Sequence, residues 1–153
     1  MAAPQRYTGK DLKVFWVNGA GYHDISGDQR TVEIAENQRS ADLTAGADEI
    51  MIYRPTQADV SISYESFDDP NAFLGTALHS GVQGTIAFAP QGTADGRPAY
   101  AIPVFMENDG HTFPYNDGVM RRLTFKPLDQ WIANYKRDNA DVWGGGTIAG
   151  VNI

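Results

Sequence analysis

The chain has 153 residues, a formal net charge of -7 at pH 7 and no cysteine. Its length suits one domain, and the absence of cysteine excludes disulfides, thiolate metal sites and thiol nucleophiles. The excess of carboxylates argues against a protein that grips a nucleic-acid backbone. No apolar run approaches the ~18 residues of a membrane span, and none resembles a secretory signal. We expect a soluble protein that stays in the cytoplasm unless a particle carries it out.

The first half of the chain predicts short strands separated by turn signals. Residues 13–17 form an apolar run that ends at Asn18-Gly19, and residues 31–36 alternate between apolar and polar. A polar connection, 37–48, then leads to an apolar run at 49–53 that we predict to be a strand. A connection of that length in a compact domain is usually functional or mobile.

The clearest pattern is the strict alternation over residues 59–65. One face of this predicted strand carries Val60, Ile62 and Tyr64. The other face is small, polar and acidic, and it consists of Asp59, Ser61, Ser63 and Glu65. Thr31 and Glu33 of the preceding alternating segment are predicted to lie beside that polar face.

A short helix is predicted directly after this strand. Asp68 and Asp69 are expected to cap its N-terminus before Pro70, where carboxylates also complement the helix dipole. Ser80-Gly81 ends the element. The two aspartates could instead form an acid/base pair, but the cap explains their position more simply.

The second half predicts three more strands. They cover residues 85–88, 100–106 and 119–125. Pro103 cannot donate to a sheet ladder, so its strand is expected at an edge or with a bulge there. Seven strands and one helix indicate a mainly β domain, a β-sandwich or flattened barrel with one flanking α-helix.

The predicted body of the domain lies between two arms. The β-sandwich is expected over residues 13–127, after an N-terminal arm (1–12) and before a C-terminal arm (128–153). The C-terminal arm contains a glycine run and ends in apolar residues that have no evident core to join.

No motif in the sequence supports catalysis or a cofactor. His23, His79 and His111 lack the spacing that a zinc site favours. His23, Asp24 and Ser26 include the side-chain types of a hydrolytic triad, but residues so close in sequence do not converge on one attacking oxygen. We therefore expect no enzyme, no catalytic residue, no metal site and no cofactor.

The order of several segments carries a family resemblance. They are 14–19, which ends in Asn-Gly, 24–27, which reads Asp-Ile-Ser-Gly, 53–55, 59–64, and 86–100 with its Pro-Gln-Gly turn. In this order and spacing, from about residue 14 to residue 125, the chain resembles the tail tube (major tail) proteins of long-tailed bacteriophages.

The resemblance implies a structural protein of the virion tail that is synthesised in the host cytoplasm. Subunits of this family form stacked rings, typically hexameric, and their inner sheets join edge to edge into a ring-wide β-barrel around a channel. The implied partners are further copies of the chain, the tape measure and tail-completion proteins, and DNA in non-specific transit.

In such a tube the polar residues of the alternating strands are expected to line the channel. These lumen-facing residues are Thr31, Glu33, Asp59, Ser61, Ser63 and Glu65. An acidic lumen should repel duplex DNA at short range and let it slide. The two arms and the 37–48 loop are expected to supply ring and inter-ring contacts through Tyr7, Arg39, Asp42, Leu43, Trp143 and Ile153.

Two other classes of function stay open. A tube subunit of a contractile injection particle, or a capsid decoration protein, would share the β-rich body and the absence of catalytic motifs. A carbohydrate-binding β-sandwich is the alternative from the binding class, since the faces of Trp16, Trp131 and Trp143 could stack on sugars. Trp16 lies in a predicted strand and is expected in the core or in an interface.

Overall fold

A computed structural model describes most of the chain. The described residues are 8–18, 21–26, 29–68, 78–137, 141–144, 147–148 and 151–152. The predicted helix after Pro70, with its cap residue Asp69, lies outside this part, and so do the predicted contact residues Tyr7 and Ile153.

The described part of the chain contains eleven strands after a short 3-10 turn at Gly9–Asp11. The strands are β1 (Lys13–Asn18), β2 (Gly21–Asp24), β3 (Gln29–Asp42), β4 (Tyr53–Phe67), β5 (Gln83–Ala89), β6 (Tyr100–Thr112), β7 (Met120–Pro127), β8 (Ala133–Asn134), β9 (Trp143–Gly144), β10 (Thr147–Ile148) and β11 (Val151–Asn152).

Eight of these strands form a single antiparallel sheet. Its order is β2-β1-β5-β6-β7-β4-β3, with β8 paired to β6, and β9, β10 and β11 form a separate small sheet. Among the described residues β2 and β3 do not pair with each other, so the sheet is not closed in the monomer. The prediction of a mainly β fold of the sandwich or flattened-barrel kind is confirmed.

The sheet folds over one main hydrophobic core. The Trp16 ring of β1 lies 5.7 Å from the Phe125 ring of β7, and the Tyr64 hydroxyl of β4 donates to the Ile25 carbonyl after β2. Strands from both ends of the sheet therefore meet across this core. Its other members include Val14, Val60, Ile62, Ile86, Phe88, Ile102, Val104, Met106 and Leu123.

A second, smaller cluster lies on the opposite face of β1, β5 and β6. Trp143 is only 5 % exposed there, and its ring centroid is 5.6 Å from that of Phe15. Small side chains make room for the two rings: Ala87, Ala89, Ala99, Ala101 and Ala133. Trp143 of the predicted C-terminal arm thus packs against the body of the domain. The apolar end of the arm, for which the sequence suggested no core, lies outside the described side chains. The domain bounds at residues 12 and 127 stay predictions.

The long β3–β4 hairpin corrects two expectations. The separate strand predicted at 49–53 is wrong, because residues 43–52 connect two strands and β4 runs without interruption from Tyr53 to Phe67. β3 also continues to Asp42 through much of the predicted loop. Polar residues such as Asn37 stay extended because each has a cross-strand partner, Asp59 in this case.

The environment of Pro103 differs from the expectation of an edge strand. β6 lies between β5 and β7, and its bulge falls between Met106 and Asn108. Proline is tolerated because β8 pairs only as far as Ala101, while β7 begins to pair at Val104. The missing N–H therefore lies in a local gap between two partner strands.

Close packing at Gly84 leads to a first prediction. A Cβ at this position would lie 2.5 Å from Cζ2 of Trp16 and 2.9 Å from the Val17 carbonyl oxygen. We expect Gly84→Ala to lower the free energy of unfolding by about 1–3 kcal/mol, because the core must shift to admit the methyl group. Urea denaturation measures the loss. Gly46→Ala, where no atom lies within 4 Å of the added carbon, is the control and should change stability far less.

Candidate functional site

A polar surface runs along one side of β3, β4 and β7. β3 and β4 place all six predicted lumen residues there, as the pairs Thr31 with Glu65 and Glu33 with Ser63 show. Along β4 the intermediate residues are buried in the core, which produces the predicted alternation. We call this surface the polar face; β7 extends it with Arg122, Thr124 and Lys126.

Ion pairs cross the polar face between neighbouring strands. Arg122 Nη2 lies 3.2 Å from a Glu65 carboxylate oxygen. Asp59 has two cations near it, Arg39 at 3.8 Å and Lys126 at 3.9 Å. The acidic character predicted from β3 and β4 alone therefore does not extend to the whole face. Sequence reasoning missed the cations of β7 because the sequence does not show that β7 pairs with β4.

One end of the polar face carries an arginine and an aromatic ring. Phe67, at the end of β4, is 44 % exposed, and the guanidinium carbon of Arg30 lies 6.0 Å from its ring centroid. Arg30 Nη1 also lies 3.9 Å from the Met120 sulfur. This end of the sheet therefore presents a cation stacked on apolar surface.

The opposite end of the hairpin exposes a group of large apolar side chains. We call residues 43–53 the hairpin tip. Its exposed members are Leu43 (55 %), Ile50 (75 %), Met51 (61 %), Ile52 (39 %) and Tyr53 (53 %). Contiguous exposed apolar surface of this kind is typical of interaction sites.

Hydrogen bonds give the hairpin tip a defined shape. The Leu43 N–H donates to the Ile52 carbonyl at 2.9 Å, and the Ile52 N–H donates to the Thr44 hydroxyl at 2.7 Å. Asp42 accepts from the Thr44 N–H at 3.0 Å, and that backbone hydrogen bond lowers the pKa of the Asp42 carboxyl. The tip therefore holds its apolar side chains outward on a folded loop.

Apolar side chains are also exposed where β6 turns into β7. Phe113 is 74 % exposed and Tyr115 is fully exposed. This turn lies at the same end of the sheet as Phe67, because Met120 and Thr112 pair with each other and Met120 also pairs with Phe67. The four strands β6, β7, β4 and β3 thus carry exposed apolar groups at both ends.

The predicted contact residues that the structure describes lie in three different environments. Arg39 lies on the polar face, Asp42 ends β3 directly before the hairpin tip, and Leu43 belongs to the tip. Trp143 is buried in its own chain, so a contact through its side chain with a neighbouring subunit stays a prediction.

The buried Arg121 of β7 makes hydrogen bonds to β6 and to Leu78, which directly follows the undescribed residues 69–77. Arg121 is 3 % exposed and donates two hydrogen bonds of 2.9 Å to the Asp109 carboxylate. It also donates to the Leu78 carbonyl. The His111 ring lies 3.9 Å from both Asp109 and Asp68. The cap predicted for Asp68 concerns residues outside the described part, and no sequence motif indicated the Arg121 cluster.

The cluster of Arg121, Asp109, His111 and Asp68 predicts how the stability of the protein changes in acid. The hydrogen bond from Arg121 lowers the pKa of Asp109 below its ordinary value of 3.8. This carboxylate therefore contributes stability that is complete above the unfolded pKa and is lost as pH falls through the folded one. We expect Asp109→Asn to flatten the fall in stability below about pH 4, since the group no longer titrates. Urea midpoints measured across that range test this, and an unchanged slope would contradict it.

A half-open groove borders Trp131. Its volume is about 690 Å³, and it lies between β3 and the segment around Trp131. Its lining includes Leu12, Val32, Ile34, Phe88, Tyr100 and Trp131. Of the tryptophans proposed to stack on sugars, Trp16 and Trp143 are buried and only Trp131 borders this groove. A sugar platform built from three tryptophan faces is therefore not present.

The described residues contain no group of three or more histidine, aspartate or glutamate side chains placed to hold a metal ion. Within the same residues, no helix has the length and apolar character needed to cross a membrane.

Solved structures with the same fold come from tube-forming particles. A chain in the tail of an empty gene transfer agent particle, refined with C6 symmetry, matches with a TM-score of 0.62 and 12 % identity over 82 % of this chain and 97 % of that chain. A chain of the SPP1 tail tube matches with a TM-score of 0.65 and 12 % identity, over 81 % and 77 %. A chain from an extracellular contractile injection system, the PVC sheath/tube terminator, matches with a TM-score of 0.61 and 14 % identity, over 86 % and 98 %.

These matches define the fold as that of tail tube proteins. The resemblance inferred from the sequence is confirmed at this level. No protein-family model and no curated protein sequence matches the chain.

Proposed function

We propose that this protein is a structural, non-enzymatic subunit of a phage-type tail tube. It polymerises into stacked rings whose channel conducts DNA into the host cell. The observation that carries the proposal is the combination of a tail tube fold with two sheet edges that pair with no other described strand and run in opposite directions. Its location is accordingly the tail of the virion.

The free edges lie on either side of a four-stranded portion of the sheet. Among the described strands, β3 pairs with β4 alone. Residues 108–112 of β6 pair with β7, and no described strand pairs with their other side, since β5 reaches only Phe105. Unpaired edges of this length are normally blunted or covered in a protein that works as a monomer.

The two edges can satisfy each other in a ring. Neighbours in the order β6-β7-β4-β3 all run antiparallel, so β3 and β6 have opposite directions. Placing β6 of one copy beside β3 of the next therefore continues the antiparallel pattern. A heterologous contact repeated by a closing rotation gives a ring. We propose six copies, as in the C6 tail of the matching gene transfer agent.

The polar face lines the channel of this ring. The opposite side of the same strands carries the main core, which leaves the hydroxyl and charged side chains free to face a wet lumen. The lumen-facing residues are Thr31, Glu33, Asp59, Ser61, Ser63 and Glu65. No convergent set of catalytic side chains lies among them, in keeping with a passive conduit.

Stacking of rings brings the hairpin tip of one copy against the next ring. The exposed apolar groups at the two ends of the strands, Ile50 and Met51 at one end and Phe113 and Tyr115 at the other, suit a head-to-tail contact. Arg39, Asp42 and Leu43 lie at or near the tip and take part in it, and the N-terminal arm with Tyr7 and the C-terminal residues add further contacts. Tape measure and tail-completion proteins are the other proposed partners.

Cysteine cross-linking tests the ring. Because the chain has no cysteine, a pair such as Glu33→Cys with Gly110→Cys introduces the only thiols. We expect oxidation to yield a ladder of covalent oligomers that ends at the ring size. A scan over Thr31, Ala35, Asn108 and Thr112 allows for the unknown register between copies. Thiols at Thr93 and Ala94, in an exposed turn, are the control. Failure of every β3–β6 pair to form the ladder would overturn the proposed ring.

A tube subunit of a contractile injection system is the second candidate. The match to a chain of the PVC particle favours this candidate, because its TM-score is similar to those of the other matches. The two candidates share the ring and the lumen, and they differ in whether a sheath surrounds the assembled tube.

A further inference from the structure

Charges of opposite sign alternate along the polar face. Each step of two residues along β4 brings a new row of side chains to this face, about 6.7 Å from the last. The first rows hold the Glu65–Arg122 pair and then Glu33. The next rows hold Lys126, Asp59 and finally Arg39.

The sum of these charges is close to zero. Five cations of the described residues lie on the face: Arg30, Arg39, Arg122, Lys126 and Arg54, the cross-strand partner of Ala41 near the hairpin tip. Three carboxylates oppose them, Glu33, Asp59 and Glu65. Exposed Glu107, in the bulge of β6, adds a fourth carboxylate at the border of the face. The whole chain, in contrast, carries a net charge of -7, so the acidity lies elsewhere on the protein.

From this pattern we infer that the channel wall is electrically balanced, and that it fits cargo of either sign, duplex DNA and polypeptide alike, without binding or repelling it. The inference rests on the proposed function, in which the polar face lines the lumen.

The cargo is neither bound nor repelled because the electrostatic potential of alternating charges falls off over a short distance. With a repeat of about 13 Å along the strands, the potential falls by a factor of e over roughly 2 Å, the repeat divided by 2π. A wall of one sign would act over the Debye length of about 8 Å at physiological salt. Cargo that does not touch the wall therefore experiences almost no net force.

Cross-strand pairing keeps the individual charges from capturing cargo. Asp59 lies between Arg39 and Lys126, and Glu65 lies beside Arg122. A passing phosphate must compete with a carboxylate that is already in place, so few counterions are exchanged on contact.

Nuclease protection by assembled tubes tests the inference. Labelled duplex DNA, shorter than the tubes, is mixed with them and then digested, so that only DNA inside the lumen survives. For the unmodified protein we expect the protected fraction to change less than about twofold between about 50 and 200 mM salt. Glu33→Lys removes one negative charge and adds one positive charge, which raises the net charge of the wall by two per copy. We expect it to retain DNA at low salt and to lose it at least about tenfold over that range.

Asp129→Lys is the matched control. It makes the same charge change at an exposed residue that lies with Val60 and Ile102 on the core side of the sheet. Its protected fraction should match that of the unmodified protein. Glu33→Gln, which changes the charge by one, replaces Glu33→Lys if the lysine variant forms no tubes, and a smaller gain in retention is then expected.

Three results would overturn the inference. Protection by the unmodified tube that rises steeply with salt would show an acidic wall, and one that falls steeply would show a basic wall. Equal behaviour of Glu33→Lys and Asp129→Lys would show that the polar face does not line the lumen. Failure of the unmodified protein to form tubes is distinguishable from these, since it would overturn the proposed function itself.

Discussion

The double substitution Ile50→Asp with Met51→Asp is expected to leave rings intact and to abolish their stacking into tubes. Both side chains are largely exposed in the monomer, at 75 % and 61 %, so the change should not impair folding. In a stacked tube the two carboxylates would be buried against apolar side chains of the next ring. Burying an unpaired charge costs several kcal/mol or more, and the cost recurs in every copy of the ring.

Electron microscopy with sedimentation measures this effect. We expect isolated rings in place of tubes at every concentration. The control is Thr93→Asp with Ala94→Asp, which adds the same charge in an exposed turn outside the β3–β4 hairpin. Tubes of normal length from the tip variant would remove the hairpin tip from the contact between rings.

Arg121→Met should cause the largest loss of monomer stability. The guanidinium is 3 % exposed and satisfies both the Asp109 carboxylate and the Leu78 carbonyl. Its removal leaves a partly buried carboxylate and a carbonyl without their donor, which costs about 3–5 kcal/mol. Total stabilities of domains are about 5–15 kcal/mol, so much of the protein should unfold under mild denaturant.

A double-mutant cycle separates the ion pair from simple packing. If the loss arises from an uncompensated charge, adding Asp109→Leu to Arg121→Met should recover part of it, and the two changes will not be additive. Urea denaturation of the four proteins measures the coupling. Strictly additive effects, or a loss below about 1 kcal/mol for Arg121→Met, would show that the pair contributes little.

The alternation of β4 was the part of the fold that the sequence predicted best. Val60, Ile62 and Tyr64 are buried, and the polar residues between them share the opposite face with Thr31 and Glu33. Side-chain period alone determines this result, because a one-residue shift would place the whole apolar set in water.

The extent of the β3–β4 hairpin could not be predicted from local composition. Residues 37–42 are mostly polar and carry no strand signal of their own, yet they pair with β4 as far as the last pair, Asp42 with Tyr53. The apolar run at 49–53 resembled a strand, but most of it forms the exposed hairpin tip. Pairing between strands overrides local propensity in such segments.

The charge of the polar face was missed for a related reason. Arg122 and Lys126 are far from Glu65 and Asp59 in sequence, and only the position of β7 beside β4 brings them together. The same holds for Trp143, whose ring packs against that of Phe15, far from it in sequence. Long-range pairing of this kind leaves no periodic signal within one segment.

Negative-stain electron microscopy of the purified protein at rising concentration shows whether this chain assembles into a tube. Size-exclusion chromatography of the same samples reports whether rings precede tubes. We predict rings that stack into uniform hollow tubes as the concentration rises. A protein that stays monomeric at every concentration, with both edges of its sheet unpaired, would contradict the proposed function.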